Sequence, residues 1–245
     1  MTRPSNSKRT ALVYGGSRGI GAAAVRRLVS DGYAVAFTYV SRADKAYKVV
    51  EEVAAKGGEA LAIRADSSDP AAIWSAVAQA IERFGTIDIV VVNAGIFKLG
   101  AIDAVSLDDL DQMLAINVRG VFLSIQAAVP YLAEGGRVIT IGSNTAVRTG
   151  HAGASVYQFT KAAVAAMVKG IALDLAPRRI TVNNIQPGPT VTDITADLVD
   201  TLAERSPMKR IADPAEIAGL VSYLARSEAG YITGASLTID GGFLL

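Results

Sequence analysis

Tyr14-Gly15-Gly16-Ser17-Arg18-Gly19-Ile20-Gly21 follows a short apolar run and opens a segment of helical period. Glycines at these positions let the backbone turn sharply and come close to a pyrophosphate, whose charge is met by amides at the helix N-terminus. A purely structural turn would be spelled with the same residues. The strand before it and the helix after it are the context that nucleotide binding requires. Gly15, Ser17, Arg18, Gly19, Ile20 and Gly21 are therefore the first candidate cofactor contacts.

Outward from this loop, β-branched runs alternate with longer segments of helical period. The runs fall at 11–14, 34–39, 60–63, 87–92, 137–141, 181–185 and 237–239. Several, such as Ile89-Val90-Val91-Val92, are apolar on both faces, which suits parallel strands covered by helices on either side. Helical period fills 21–30, 44–56, 70–84, 107–132 and 156–176. Asp69 before Pro70 caps one start, while Gly57-Gly58 and Gly85 stop two helices. The alternation predicts an α/β fold: a Rossmann-type, doubly wound, seven-stranded parallel sheet flanked by helices on both faces. Ligands are expected at the carboxyl ends of its strands. One domain spans 1–245, with 1–8 reading as a flexible tail. The one long irregular stretch is 187–207, where a lid over the site would sit. Trp74, at helical spacing with Ile73, Val77 and Ile81, is expected to pack in the core or against a helix.

Of the 245 residues, 51% are hydrophobic, enough for one substantial core. Basic and acidic side chains number 24 and 23, so the basic excess of a nucleic-acid binder is missing. There is no cysteine, which excludes disulfides and thiolate chemistry, and a single histidine does not make a multi-histidine site; no metal is expected. Asp, Asn, Lys or Arg interrupts every apolar run short of the ~18 residues of a membrane span. Residues 1–9 are polar and lack the apolar core of a signal peptide. The expectation is a soluble, cytoplasmic enzyme or binding protein with a small-molecule partner, no nucleic acid and no membrane.

The end of the second strand tests which dinucleotide is bound. An NAD-selective site usually places an acid there for the ribose hydroxyls. This chain has Tyr39-Val40-Ser41-Arg42, and the nearest following acid is Asp44. Arg18, Ser41 and Arg42 suit a 2′-phosphate, which favours NADP(H) over NAD(H), although arginines in loops are also simply solvated charges. Asp66-Ser67 after the third strand offers a carboxylate to an adenine amino group or a cap to its own loop. Asn93-Ala94-Gly95 after the fourth lets a ring or ribose lie against the backbone, and Asn93 could tie neighbouring strands together.

The fifth strand ends at Ser143, and the next helix carries Tyr157 and Lys161 at i and i+4, on one face. An ammonium beside a phenol favours the phenolate, bringing the tyrosine towards working pH as an acid or base. Ser143 faces the same crevice and could hydrogen-bond a substrate oxygen. The Tyr-Lys spacing alone occurs by chance on many helices; the order of nucleotide loop, strand-end Ser, then Tyr and Lys lifts it.

With these residues the chain resembles the short-chain dehydrogenase/reductase family, single-domain type, over residues 8–245. The family's T-G-x-x-x-G-x-G matches Gly15, Gly19 and Gly21, with Tyr14 in place of Thr; N-A-G matches Asn93-Ala94-Gly95. The active-site Asn corresponds to Asn117, and the catalytic Ser, Tyr and Lys to Ser143, Tyr157 and Lys161. P-G is Pro187-Gly188, and T-G…D-G-G is Thr233-Gly234…Asp240-Gly241-Gly242. The resemblance implies a mechanism in which Tyr157 protonates the carbonyl oxygen as hydride arrives, and Ser143 holds that oxygen. It gives Lys161 the nicotinamide ribose and the lowering of the Tyr157 pKa, and Asn117 a relay water. Thr190 and Thr192 would fix the carboxamide. It also implies a homotetramer, with 107–132 and 156–176 at the interface.

Two departures stand out. Tyr14 replaces a threonine that orders the glycine loop, so a hydroxyl moved outward and a local rearrangement are expected. Ser143 and Tyr157 are fourteen positions apart, one more than the commonest family spacing, and the loop holds Arg148 and His151. Asn144, Thr145, Arg148 and His151 are candidate substrate-pocket residues; for His151 a pocket-rim or plain loop position is favoured over a pH-sensitive catalytic role because the proton donor is already assigned, and Arg148 could select an acidic substrate or equally be a solvated loop charge. Among Glu134, Asp174, Arg137, Arg178 and Arg179 there is no basic patch for an acidic carrier protein, which favours a small ketone, aldehyde or keto ester. The alternatives are a 3-oxoacyl-[acyl-carrier-protein] reductase and a non-catalytic nucleotide-binding regulator on the same fold.

Overall fold

The computed structural model describes residues 8–245; the tail reading of 1–7 lies outside the described residues. Strands β1 (Thr10–Tyr14), β2 (Ala34–Tyr39), β3 (Ala60–Arg64), β4 (Ile87–Val92), β5 (Leu132–Ile141), β6 (Thr181–Pro187) and β7 (Ser236–Ile239) form one sheet. All neighbours pair in parallel, in the order β3-β2-β1-β4-β5-β6-β7. The order reverses between β1 and β4, so a crevice opens there at the carboxyl ends of both strands.

The helices are α1 (Gly19–Ser30), α2 (Ala43–Ala54), α3 (Pro70–Phe84), α4 (Leu107–Leu114), α5 (Val121–Ala128), α6 (Ser155–Leu175), α7 (Val199–Arg205) and α8 (Pro214–Ala225). Alternation along the strands divides the apolar side chains between two cores. Ala11, Val13, Ile89 and Val91 join α1, α2 and α8 on one face; Leu12, Tyr14, Val90 and Val92 join α3, α5 and α6 on the other. Asp69 accepts from the Ala71 amide, and Gly85 closes α3 with φ +85, so both of these sequence signals act as read.

Three expectations are corrected. The segment 107–131 is continuously helical but not a uniform α-helix: α4 and α5 flank a π-helical turn, Ala115–Gly120, and Leu132 already belongs to β5. Pro130, which has no amide to donate, lies in the short turn that ends this stretch. Leu107–Tyr131 is long and apolar enough to cross a membrane by composition, but α5 packs against α3 and β4. The stretch 187–207 is not wholly irregular, since it contains α7. Trp74 is not core: its neighbour Ile73 turns inward with Ala76, Val77 and Ala80, and one residue's rotation leaves Trp74 44% exposed.

Candidate active site

The strand ends open on a cleft of about 460 Å³. Gly15 begins its floor with φ +79, and a side chain there would start 2.9 Å from the Ala94 Cα, so the glycine is required. The Gly15 amide donates to Thr38 Oγ1 at 2.9 Å, and Asn93 Nδ2 donates to the Gly15 carbonyl at 2.8 Å, tying β4 to the loop. The Tyr14 side chain takes no part. Strand alternation turns its side chain away from the loop into the core, with its hydroxyl 3.5 Å from the Ser124 carbonyl. The expected outward hydroxyl is therefore corrected: Thr38 of β2 supplies the oxygen that steadies the loop.

At the start of α1, Arg18 makes no side-chain cap and the first turn holds no acid, so its amides are left for an anion. This fits a dinucleotide pyrophosphate. Ser17, Arg18, Gly19 and Ile20 line the cleft beside Gly15, and Tyr39, Ser41 and Arg42 line it at the end of β2. Asp66, Ser67, Ala94 and Gly95 follow at β3 and β4, and Pro187, Thr190 and Thr192 on the β6 side. Gly21 and Gly188 lie behind the lining, where side chains would strike Gly15 and Asp240. Asp66 serves as a loop cap, accepting from the Ser68 amide and hydroxyl at 2.8 Å each, while also facing the cleft. Arg18 and Arg42 carry carboxylate partners, Asp193 at 3.0 Å and Asp44 at 2.7 Å.

The other end of the cleft holds Ser143, Tyr157 and Lys161. Ser143 Oγ accepts from the Thr145 amide at 3.2 Å and from its hydroxyl at 2.9 Å. Both lone pairs are thereby used, and the Ser143 hydrogen is left to donate. Burial pushes the Tyr157 phenol up to about 12, a hydrogen bond with Ser143 lowering it in part. Lys161 Nζ donates to the Ile141 carbonyl at 3.1 Å, and burial brings it down to about 8. The lysine-lowered phenol expected from the i, i+4 pair is thus not what this geometry shows. Burial works against both charged forms, and the phenol stays protonated.

Asn117 sits in the π-helical turn, fully buried. Its Oδ1 accepts from the Ile96 amide and its Nδ2 donates to the Ile96 carbonyl, both at 2.9 Å, with Thr160 Oγ1 at 3.3 Å. The widened turn is what aims this side chain inward. Gly95 leaves room for it: a side chain there would lie 3.3 Å from Asn117 Oδ1 and 3.4 Å from Lys161 Nζ.

The four substrate-pocket candidates do not line the cleft. Asn144 is buried and bonds Asp240 at 3.3 Å, and Thr145 stands behind Ser143. Arg148 donates to the Leu244 carbonyl at 3.3 Å, and His151 is exposed beside the Ala152 carbonyl. Ile96, Phe97 and Ile194 line the cleft instead, and the Phe97 ring meets Tyr157 edge to face at 4.7 Å and 88°. Among the described residues, no cluster of His, Asp or Glu could hold a metal.

A glycine loop over a free helix N-terminus, joined in one cleft to Ser, Tyr and Lys, defines a dinucleotide-dependent oxidoreductase. The chain belongs to the short-chain dehydrogenase/reductase family, oxidoreductases acting on CH–OH and C=O groups. A family model described as enoyl-(acyl carrier protein) reductase matches residues 15–244. A short-chain dehydrogenase/reductase from Serratia marcescens is 52% identical, covering 98% of this chain and 99% of that one at a TM-score of 0.95. A short-chain dehydrogenase from Burkholderia cenocepacia, solved with NADP, is 44% identical over 97% of this chain and 98% of that one, TM-score 0.93. The cyclic-di-GMP-binding biofilm dispersal mediator protein of Escherichia coli is 40% identical over 96% of this chain and 97% of its own length.

Proposed function

We propose that the protein is an NADPH-dependent reductase that converts the carbonyl of a small ketone, aldehyde or keto ester to an alcohol, reversibly. The observation that carries this reading is the convergence of Ser143, Tyr157 and Lys161 in the cleft that the glycine loop, Arg18 and Arg42 also line. When bound, the nicotinamide supplies hydride to the carbonyl carbon. Tyr157, protonated in this geometry, gives its proton to the carbonyl oxygen. Ser143 donates its free hydrogen to the same oxygen, held in place by Thr145. Lys161 lies behind the phenol to receive ribose hydroxyls, and Asn117 fixes the Ile96 backbone beside them. Arg18, Ser41 and Arg42 take the 2′-phosphate, and Thr190 and Thr192 the carboxamide. The Burkholderia relative's NADP supports the choice of cofactor.

A small substrate is favoured over an acyl-carrier substrate because the basic residues near β5 are already engaged. Arg179 pairs with Glu134 at 2.7 Å, Arg178 donates to backbone carbonyls, and Arg137 is buried. The enoyl-(acyl carrier protein) reductase description keeps 3-oxoacyl-[acyl-carrier-protein] reduction as the competing reading. The E. coli relative's name keeps that of a non-catalytic nucleotide-binding regulator. A homotetramer in the cytoplasm completes the proposal. Leu107, Phe122, Phe159 and Leu173 stand exposed on α4, α5 and α6 and would be covered by partner chains. Light scattering at four chain masses supports it, and a monomer refutes it.

Loss of absorbance at 340 nm, with NADPH or NADH against small ketones, keto esters and acyl thioesters, tests the reaction. Faster oxidation of NADPH with small ketones or keto esters is expected. A preference for thioesters would move the assignment to the carrier-protein enzyme. No oxidation of either cofactor, alongside tight binding of another nucleotide, would move it to the regulator.

A further inference from the structure

One carboxylate ties the segment after β6 to the opposite wall of the cleft. Asp193 Oδ2 accepts from Arg18 at 3.0 Å and from Lys45 Nζ at 3.2 Å. Arg18 is the N-cap of α1 and Lys45 lies in the first turn of α2, so a single side chain bridges both helices. The base of the segment is secured separately. The Val191 amide donates to the Ala212 carbonyl and the Ala212 amide to the Pro189 carbonyl, at 2.9 Å each, and Thr195 Oγ1 donates to the Thr190 carbonyl at 2.5 Å. The tip leans on the glycine loop, with Thr192 Cγ2 3.2 Å from where a side chain on Gly19 would begin. The ion pairs of Asp193 add a charged link from this tip to α1 and its link to α2.

A carboxylate between a guanidinium and an ammonium uses the donors that a phosphate monoester would use. Resting on the NADPH reading above, we infer that Asp193 and Lys45 set cofactor selectivity: Asp193 holds Arg18 and Lys45, the cations that the ribose 2′-phosphate takes in exchange. Binding NADPH then replaces one anion with another and releases the Asp193 carboxylate from its two partners. NADH brings no second anion, so Asp193 keeps its partners and nothing is exchanged. Removing the carboxylate removes a competitor of the phosphate alone. Lys45 is a phosphate ligand that the glycine motif does not reveal.

Exposed ion pairs each shift an equilibrium by up to about fivefold, and two are exchanged here, so Asp193→Asn should tighten NADPH by about three- to tenfold. Calorimetric titration of wild type, Asp193→Asn and Lys45→Met with NADPH, NADH, 2′,5′-ADP and 5′-AMP reads this without turnover. Asp193→Asn is expected to tighten NADPH and 2′,5′-ADP while leaving NADH and 5′-AMP within about twofold; Lys45→Met is expected to weaken only the first pair. Equal shifts for NADPH and NADH would mean that Asp193 merely closes the segment, and weaker NADPH binding would reverse the sign; either overturns the inference. If wild type discriminates but the ratio is unchanged in Asp193→Asn, this inference falls and the NADPH reading stands. If wild type binds both cofactors equally, the two fall together.

Discussion

Lys161 Nζ stands 5.7 Å from the centre of the Tyr157 ring, and its hydrogen bond goes to the Ile141 carbonyl at 3.1 Å. The pair therefore shares a helix face without sharing a proton. With burial holding the phenol near 12 and the ammonium near 8, Tyr157 enters the reductive direction as an acid with its proton in place. Tyr157→Phe removes that proton and little else. Turnover should fall by about 100- to 10,000-fold, the usual contribution of a general acid, while NADPH still binds. Single-turnover rates and a binding titration on one preparation check both halves. Near-normal turnover would sink the assignment.

The Lys161 ammonium also couples stability to pH. Its folded pKa, about 8, lies below the ordinary 10.5, so the unfolded chain holds the extra proton between those values. Stability contributed at this site consequently rises with pH across that window and is least where both states are protonated, below about 8. Lys161→Met has no such group. Denaturant unfolding without added cofactor should show wild type gaining on the variant by on the order of 2 kcal/mol between neutral pH and pH ~10. A constant gap would mean that burial does not oppose this charge.

Tyr14 and Thr38 divide between them the work that the family pattern assigns to one threonine. Tyr14 is a core residue, 1% exposed, whereas Thr38 Oγ1 receives the Gly15 amide. Tyr14→Thr, which restores the family residue, should therefore cost about 3 kcal/mol through the cavity it leaves and gain no cofactor affinity. Thr38→Val leaves the Gly15 amide without its acceptor, so it should cost about 1–3 kcal/mol and weaken NADPH binding by loosening the loop. Thermal melts and titrations of the two variants separate these effects. Tighter NADPH binding in Tyr14→Thr would return the loop role to position 14.

How far the sequence was readable follows from the range of the interactions involved. The strands, save the first half of β5 at 132–136, the glycine loop and the caps at Asp69 and Gly85 depend on neighbours within a few residues, and these were legible. The π-helical turn inside 107–131 was not, because the partner of its Asn117 is Ile96, twenty-one positions away. Trp74 misled because helical spacing with Ile73 does not say which side of the apolar stripe a residue takes. Asp193 was invisible for a stronger reason: its partner Arg18 lies 175 positions away, and an exposed loop aspartate has no local signature. Phe97 belongs with it, since only the fold brings its ring to Tyr157.

Phe97 gives the most direct handle on substrate choice. Its ring meets Tyr157 edge-on at 4.7 Å and lines the cleft, so it both braces the proton donor and limits the space beside it. Those two roles make opposite demands on Phe97→Ala. Loss of the brace slows every substrate, whereas the space released favours those with bulky groups next to the carbonyl. The ratio of kcat/KM between an aryl ketone and a small aliphatic ketone should consequently rise by about tenfold, with Phe97→Leu in between. The gain should appear in KM for the larger substrate and the loss in kcat for both. Measured kcat and KM across the panel decide it: an equal fall for all substrates would leave Phe97 as a brace for Tyr157 with no part in selecting what the cleft admits.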